Sequence, residues 1–386
     1  MLDHPRLWYD VLHTKSPHSR QAWSRTRLVI FSRQHPDQEH LIAGNRKAAV
    51  VSEVWIDGGT KKMVESVLEA ISEGQVEDLR ISSLFPSTID VTLLSQGVIK
   101  VGKCEIYNGS TSEQLEAILG AVSEGSDLTL SSLKIVAHPR VVAPVSSDVF
   151  GRAAVKLISL EVTGSTSGQI GEILTRLAST ADSKLKVFRT SGYYRRDISH
   201  LAPDTVAEAL LKLEIPDDIL RVVTLSPGQV SHLMTKIGDA EDLRFTRLNF
   251  NTINIDTSQL APDVVARAVT RLEIVKICAT PAELQAIFIR LQFGGSKLKS
   301  LTIFRVDLSA VTTEVFLGVL RKVEFVEFFD STFTAAQVAA MLIMLAEGSQ
   351  GKLRKLSIVM PRGSEPEAID LLMAAAPHDL LVILNL

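Results

Sequence analysis

One recurrence constrains this chain more than any other feature. Thr111-Ser112-Glu113-Gln114, Thr166-Ser167-Gly168-Gln169, Ser226-Pro227-Gly228-Gln229, Thr280-Pro281-Ala282-Glu283 and Thr334-Ala335-Ala336-Gln337 all read S/T-x-x-E/Q. In such a capping box the hydroxyl accepts from a backbone N–H one turn into a helix, while the Glu or Gln reaches back to the cap residue's own N–H. One box is weak evidence of a helix start. Five of them, at intervals of roughly 54 to 60 residues, mark an internal repeat. Each opens an amphipathic run: after Thr280, the residues Leu284, Ile287, Phe288 and Leu291 fall at helical spacing, and Gly294 and Gly295 end it.

A strand follows each helix. Leu298-Lys299-Ser300-Leu301-Thr302-Ile303 alternates apolar and polar residues, and Leu353-Arg354-Lys355-Leu356-Ser357-Ile358 repeats the phrase. A second kind of helix is interleaved with the first. Asp197-Ile198-Ser199-His200-Leu201-Ala202-Pro203-Asp204 returns as Asp256-Thr257-Ser258-Gln259-Leu260-Ala261-Pro262-Asp263, and more loosely between Asp307 and Glu314. The period is therefore about 27 residues in two alternating flavours. The pattern predicts strands at 51–56, 76–81, 101–106, 130–136, 157–162, 184–189, 245–250, 272–277, 298–303, 323–328, 353–359 and 379–384. Near 213–225, Pro216 removes a ladder donor and predicts an irregular or missing strand.

A strand read as L-x-x-L-x-L with a helix every 27 residues or so resembles the leucine-rich-repeat family, in its ribonuclease-inhibitor-like form. Val51-Ser52-Glu53-Val54-Trp55-Ile56 carries the same phrase. The resemblance covers residues 46–386 as about 12 to 13 repeats, leaving 1–45 as an N-terminal cap. It implies an α/β solenoid with parallel strands on a concave face and helices on a convex one. The chain departs from the family at the ninth position of the repeat. Thr or Ser stands there in most copies, where Asn or Cys is usual.

A second resemblance lies in His4-Pro5-Arg6-Leu7-Trp8-Tyr9-Asp10-Val11, which is similar to the last helix of an F-box. F-box proteins recruit the small adaptor of cullin-type ubiquitin ligases, and many carry leucine-rich repeats next. The leading helices that hold the adaptor are absent from this sequence, so the adaptor is expected as a partner only if an F-box lies upstream.

Composition bounds the rest. Of 386 residues 46% are hydrophobic and 22% charged, which suits a folded chain. A net charge of −3 gives no electrostatic reason to expect nucleic acid. Two cysteines, Cys104 and Cys278, cannot form a disulfide framework and fit a reducing compartment. The N-terminus lacks a basic segment followed by an apolar run, and the longest apolar run, 338–346, is under half a membrane span. A cytoplasmic protein without a membrane partner is expected.

Candidate chemistry dissolves on comparison between repeats. Asp197, Ser199, His200 and Asp204 hold the letters of a hydrolase triad, but Gln259 replaces the histidine in the next copy. Gly164-Ser165-Thr166-Ser167-Gly168 has the outline of a nucleophile elbow, yet Thr166 is already a helix cap. Gly294-Gly295-Ser296-Lys297 echoes a phosphate loop without its spacing, and it follows a helix rather than opening one. His4, His13, His18, His35 and His40 crowd the cap without ligand spacing or a nearby cysteine. The expectation is a non-enzyme with no cofactor and no metal.

A partner surface is the remaining prospect. The x positions of each strand should point to the concave face. The early repeats present a polar and charged zone that includes Trp55 and Tyr107. The late repeats present an apolar zone of Ile274, Phe304, Phe325, Phe329 and Val359, flanked by Lys276, Glu327 and Lys355. Exposed aromatic clusters rimmed by charge mark protein-binding surfaces. A one-residue slip of register would instead place Phe325 and Phe329 in the core. The final strand, 380–386, is expected to need cover along its edge. The function expected is recognition of a protein partner, either for a ubiquitin ligase or as a stand-alone scaffold or inhibitor.

Overall fold

A computed structural model of the protein describes residues 26–31, 51–57, 61–73, 76–82, 89–107, 110–191, 195–250, 257, 259–348, 351–359 and 381–385. The chain divides into two compact units, 1–198 and 199–386. The first runs β1 (Thr26–Phe31), β2 (Val51–Asp57), α1 (Lys61–Glu73), β3 (Asp78–Ser82), α2 (Val91–Ile99), β4 (Lys103–Tyr107), α3 (Ser112–Glu124), β5 (Ser132–Val136), α4 (Pro139–Val142), α5 (Ser147–Ala154), β6 (Ser159–Thr163), α6 (Ser167–Ser179), β7 (Val187–Ser191) and a short β8 (Arg196–Asp197). The second runs α7 (Pro203–Leu211), α8 (Asp217–Leu220), β9 (Val223–Thr224), α9 (Pro227–Asp239), β10 (Arg247–Asn249), α10 (Pro262–Arg271), β11 (Ile274–Ile277), α11 (Pro281–Phe293), β12 (Ser300–Phe304), α12 (Thr313–Leu320), β13 (Phe325–Phe329), α13 (Ala335–Ala346), β14 (Lys355–Val359) and β15 (Leu381–Asn385).

The architecture is α/β. Strands β1 to β7 pair in chain order as one parallel sheet, and β10 to β15 as another. Parallel neighbours need a crossover, and helices supply it through most of both units. Alternate strand residues are buried, as Val326 and Phe328 are in β13 and Leu133 and Ile135 are in β5. They meet the buried stripe of the helices, such as Leu284, Ile287, Phe288 and Leu291 of α11. This arrangement is compatible with a repeat α/β fold.

Many strands begin two residues later than the apolar pattern predicts. The first residue of each L-x-x-L-x-L phrase is the cause. Leu130, Leu157, Leu272, Leu298, Val323 and Leu353 are all buried, yet each precedes the hydrogen-bonded ladder. Apolar patterning reports burial, and burial starts before pairing does. The sheet also reaches into the segment assigned to a cap, since β1 at 26–31 pairs in parallel with β2. Around Pro216 the expected irregularity is present. Pro216 caps the one-turn α8, and β9 is two residues long.

All five capping boxes close reciprocally, at Thr111/Gln114, Thr166/Gln169, Ser226/Gln229, Thr280/Glu283 and Thr334/Gln337. The buried amides do a second job. Gln169 Nε2 donates to the carbonyls of Val142 and Val145, both at 2.8 Å. Gln337 Nε2 donates likewise to Leu308 and Val311 at 2.8 and 2.7 Å, and Gln229 Nε2 to Leu201 at 2.8 Å. Each amide therefore ties its helix to backbone 24 to 29 residues earlier in the chain and satisfies carbonyls that burial would otherwise strand. Glu283 stands at the same position of its repeat but has no N–H to give. Its Oε2 accepts from the Thr280 N–H at 2.6 Å, and its buried Oε1 has no hydrogen-bond partner.

Strand ends share a left-handed turn. Gly164 (φ 83°), Arg305 (φ 52°) and Asp330 (φ 50°) each follow the last residue of a strand. Their N–H groups donate to Ser191, Phe329 and Val359, the last strand residue one repeat on, at 2.8, 2.7 and 2.9 Å. A left-handed arginine or aspartate costs about 1 kcal/mol, so the bend is held at Arg305 and Asp330 by the structure around them.

Candidate functional site

The outward positions of the second sheet form three rows. Parallel register aligns Arg247, Ile274, Ser300, Phe325 and Lys355 in the first and Asn249, Lys276, Thr302, Glu327 and Ser357 in the second. Phe304, Phe329 and Val359 align in the third. Eight of the residues singled out from the sequence thus share one face: Ile274, Lys276, Phe304, Phe325, Glu327, Phe329, Lys355 and Val359.

The register question resolves in favour of the outward reading. Phe325 is 38% exposed and Ile274 40%, whereas Val326 and Phe328 next to Phe325 and Phe329 are at 0% and 1%. Phe304 and Phe329, half-buried, stack with ring centroids 5.1 Å apart and planes 18° from parallel. Such a pair is worth about 1 kcal/mol beyond its area, and it leaves an aromatic surface on the sheet. The left-handed bends at Arg305 and Asp330 come immediately after these two rings.

Between the apolar rows lies a polar cluster that the sequence reading only half caught. Glu327 Oε1 is 2.6 Å from Lys355 Nζ, and Oε2 accepts from the hydroxyl of the buried Thr302 at 3.1 Å. Burial pushes the Glu327 carboxyl up, but the Lys355 ammonium, the Thr302 hydroxyl and the more distant Lys276 outweigh it and hold it below its ordinary value. Thr302 escaped notice because it stands at an x position of its strand and yet is buried. Cys278, exposed beyond the end of β11, donates its S–H to the Phe304 carbonyl at 3.3 Å.

The outer face of the first sheet has a different character. Its middle row reads Arg80, Glu105, Lys134, Glu161 and Arg189, alternating in sign across five paired strands. Lys134 Nζ lies 2.9 Å from Glu161, and Glu105 is approached by Lys103 at 3.2 Å and Arg80 at 3.7 Å. Tyr107 donates its hydroxyl to Glu105 Oε2 at 2.7 Å, so its polar end is engaged within the protein. Burial raises the Glu105 carboxyl, while Tyr107, Lys103 and Arg80 together bring it below its ordinary value. The Tyr107 phenol is correspondingly raised by its bond to Glu105. Trp55 lies on β2 opposite Arg80 by register, and its side chain falls outside the described residues. Lys134, Glu161 and Arg189 were missed by sequence reasoning, although their position, one repeat apart on the same row, was the available signal.

The dismissed constellations have structural roles. Asp204 Oδ1 lies 2.7 Å from His232 Nε2, a contact between α7 and α9. Thr166 caps α6. The cap histidines and the Leu7-Trp8 phrase lie outside the described residues. Among those residues, no group of three or more His, Cys, Asp or Glu is placed to hold a metal, and no helix is long and apolar enough to cross a membrane.

No protein-family model matches the chain. No curated protein matches it either.

Proposed function

We propose that this chain is a non-enzymatic binding protein: a leucine-rich-repeat solenoid of the ribonuclease-inhibitor-like type whose outer sheet face in residues 199–386 docks a protein partner. The observation that carries the reading is the stacked Phe304–Phe329 pair, with Phe325 and Ile274 on the same face. Partly exposed aromatic groups around a partly buried ion pair are what anchoring patches of protein interfaces offer. The test is to compare wild type with the Phe325→Ser/Phe329→Ser double variant. A protein captured by wild type and lost by a variant of unchanged Tm supports the site. Equal capture by both overturns it, and an unfolded variant makes the rings part of the core.

The phrase His4-Pro5-Arg6-Leu7-Trp8 favours one specific version, the substrate-recognition part of an F-box type ubiquitin ligase. That version requires the cullin adaptor to co-purify with full-length protein. A stable complex with a partner but without the adaptor favours a stand-alone scaffold or inhibitor.

A further inference from the structure

We propose that the outer face of the second sheet recognises an acidic segment carrying bulky apolar side chains. The inference rests on the docking reading above and adds the chemistry of the occupant. Its basis is an excess of cations over carboxylates at the outward positions. Among the outward positions of the described strands β10 to β14 stand three cations, Arg247, Lys276 and Lys355, and one carboxylate, Glu327. Lys355 pairs with Glu327 at 2.6 Å, and Lys276 acts on the same carboxylate from further away. Arg247 acts on the buried Asp217, and neither Arg247 nor Lys276 has a carboxylate at ion-pair distance among the described residues.

These two cations bracket an apolar anchor. Arg247 is the register partner of Ile274, on the neighbouring strand about 4.8 Å away. Lys276 is two residues further along the strand of Ile274, about 6.6 Å away on the same side. The face is thus positive where it is apolar, in a chain whose net charge is −3. The first sheet provides the contrast. Its row from Arg80 to Arg189 places opposite charges on adjacent strands, so most of its charge is answered within the protein.

A peptide fits this pattern better than a nucleic acid does. A phosphodiester chain carries one charge per nucleotide and calls for a continuous basic track. Here the outward positions hold only three cations, and Glu327 interrupts them in the middle row. Phe304 and Phe329 already stack on each other, which leaves few ring faces for bases.

The test uses the full chain with four labelled probes in fluorescence anisotropy: a random Glu–Tyr copolymer, poly-Glu, a random Lys–Tyr copolymer and an oligo-uridylate. The Glu–Tyr copolymer is expected to bind most tightly. Lys276→Glu is expected to weaken it about tenfold and Lys276→Gln by less, with unchanged circular dichroism. Equal binding of the Lys–Tyr copolymer, or a Lys276→Glu variant that binds as wild type, overturns the inference. Tighter binding of oligo-uridylate overturns it in favour of a nucleic acid. If the copolymer fails to bind while Phe325→Ser/Phe329→Ser still loses its captured protein, the acidic preference falls and the docking site stands. If poly-Glu binds as well as the copolymer and the phenylalanine variant binds both, the apolar anchors are irrelevant and both readings fall.

Discussion

Lys355 reaches diagonally from β14 to place its Nζ 2.6 Å from Oε1 of Glu327 on β13, while Thr302 on β12 holds the other oxygen at 3.1 Å. Three adjacent strands are joined by one carboxylate. Both charged side chains are only about a quarter exposed, at 26% and 21%, so solvent screens the pair incompletely.

That geometry fixes a pH dependence. A carboxyl held below its ordinary value in the folded state stabilises the fold above that value, and the contribution disappears as pH falls through the lowered one. Glu327→Gln should therefore cost about 1 kcal/mol at neutral pH. The difference from wild type should vanish in acid, below the ordinary carboxylate range. Urea denaturation of both proteins across that range checks the sign.

Glu283 offers the converse case. Its Oε1 is buried without a partner, at a position where Gln169 and Gln337 use an amide to satisfy two carbonyls each. Glu283→Gln should stabilise the protein by about 1 to 2 kcal/mol, the cost of one unsatisfied buried group. Gln337→Glu should destabilise it by at least as much. Denaturant midpoints that move in these opposite directions at constant m-value bear this out.

Gly348 and Gly351 separate strain from collision. Both are left-handed, at φ 65° and 61°, but a Cβ on Gly348 meets nothing within 4 Å, whereas one on Gly351 would lie 2.6 Å from the Arg321 carbonyl oxygen. Gly348→Ala should cost about 1 kcal/mol. Gly351→Ala should cost clearly more, because backbone must move. Thermal unfolding of the two variants ranks them.

Asp217 titrates in the opposite sense to Glu327. Burial raises its carboxyl, more than the distant Asn249 N–H at 3.4 Å and the cations Arg221 and Arg247 lower it. A raised acid stabilises most below its ordinary value, and that contribution is lost as pH rises through the folded one. Asp217→Asn should be more stable than wild type at neutral pH, with the advantage gone in acid.

Much of this was legible in the sequence because the repeat supplied several copies of each signal. The capping boxes named five helix starts correctly, and the L-x-x-L-x-L phrase located β2 to β7 and β10 to β15 to within a few residues. The outward register of Phe325 and Phe329 was expected but left open, since alternation along one strand allows either face and only the burial of Val326 and Phe328 decides it. Three things were not legible. Strand starts were read two residues early, because Leu298 and Leu353 are buried before they pair. The strand at 26–31 was missed because its sequence stretch has no capping box to mark a repeat. The charge ladder from Arg80 to Arg189 needs five strands in exact mutual alignment, which no single repeat contains.

The glutamine amides that bond back to the preceding turn have a mechanical meaning. Each makes the opening of one helix depend on the intactness of the segment before it, so loss of structure propagates along the chain instead of staying local. Glu283 lacks that amide, so at the start of α11 this polar tie is missing and apolar packing against α10 alone carries the coupling. In native-state amide exchange that junction should therefore report on packing, whereas the junctions at Gln229 and Gln337 should report on packing and hydrogen bonding together.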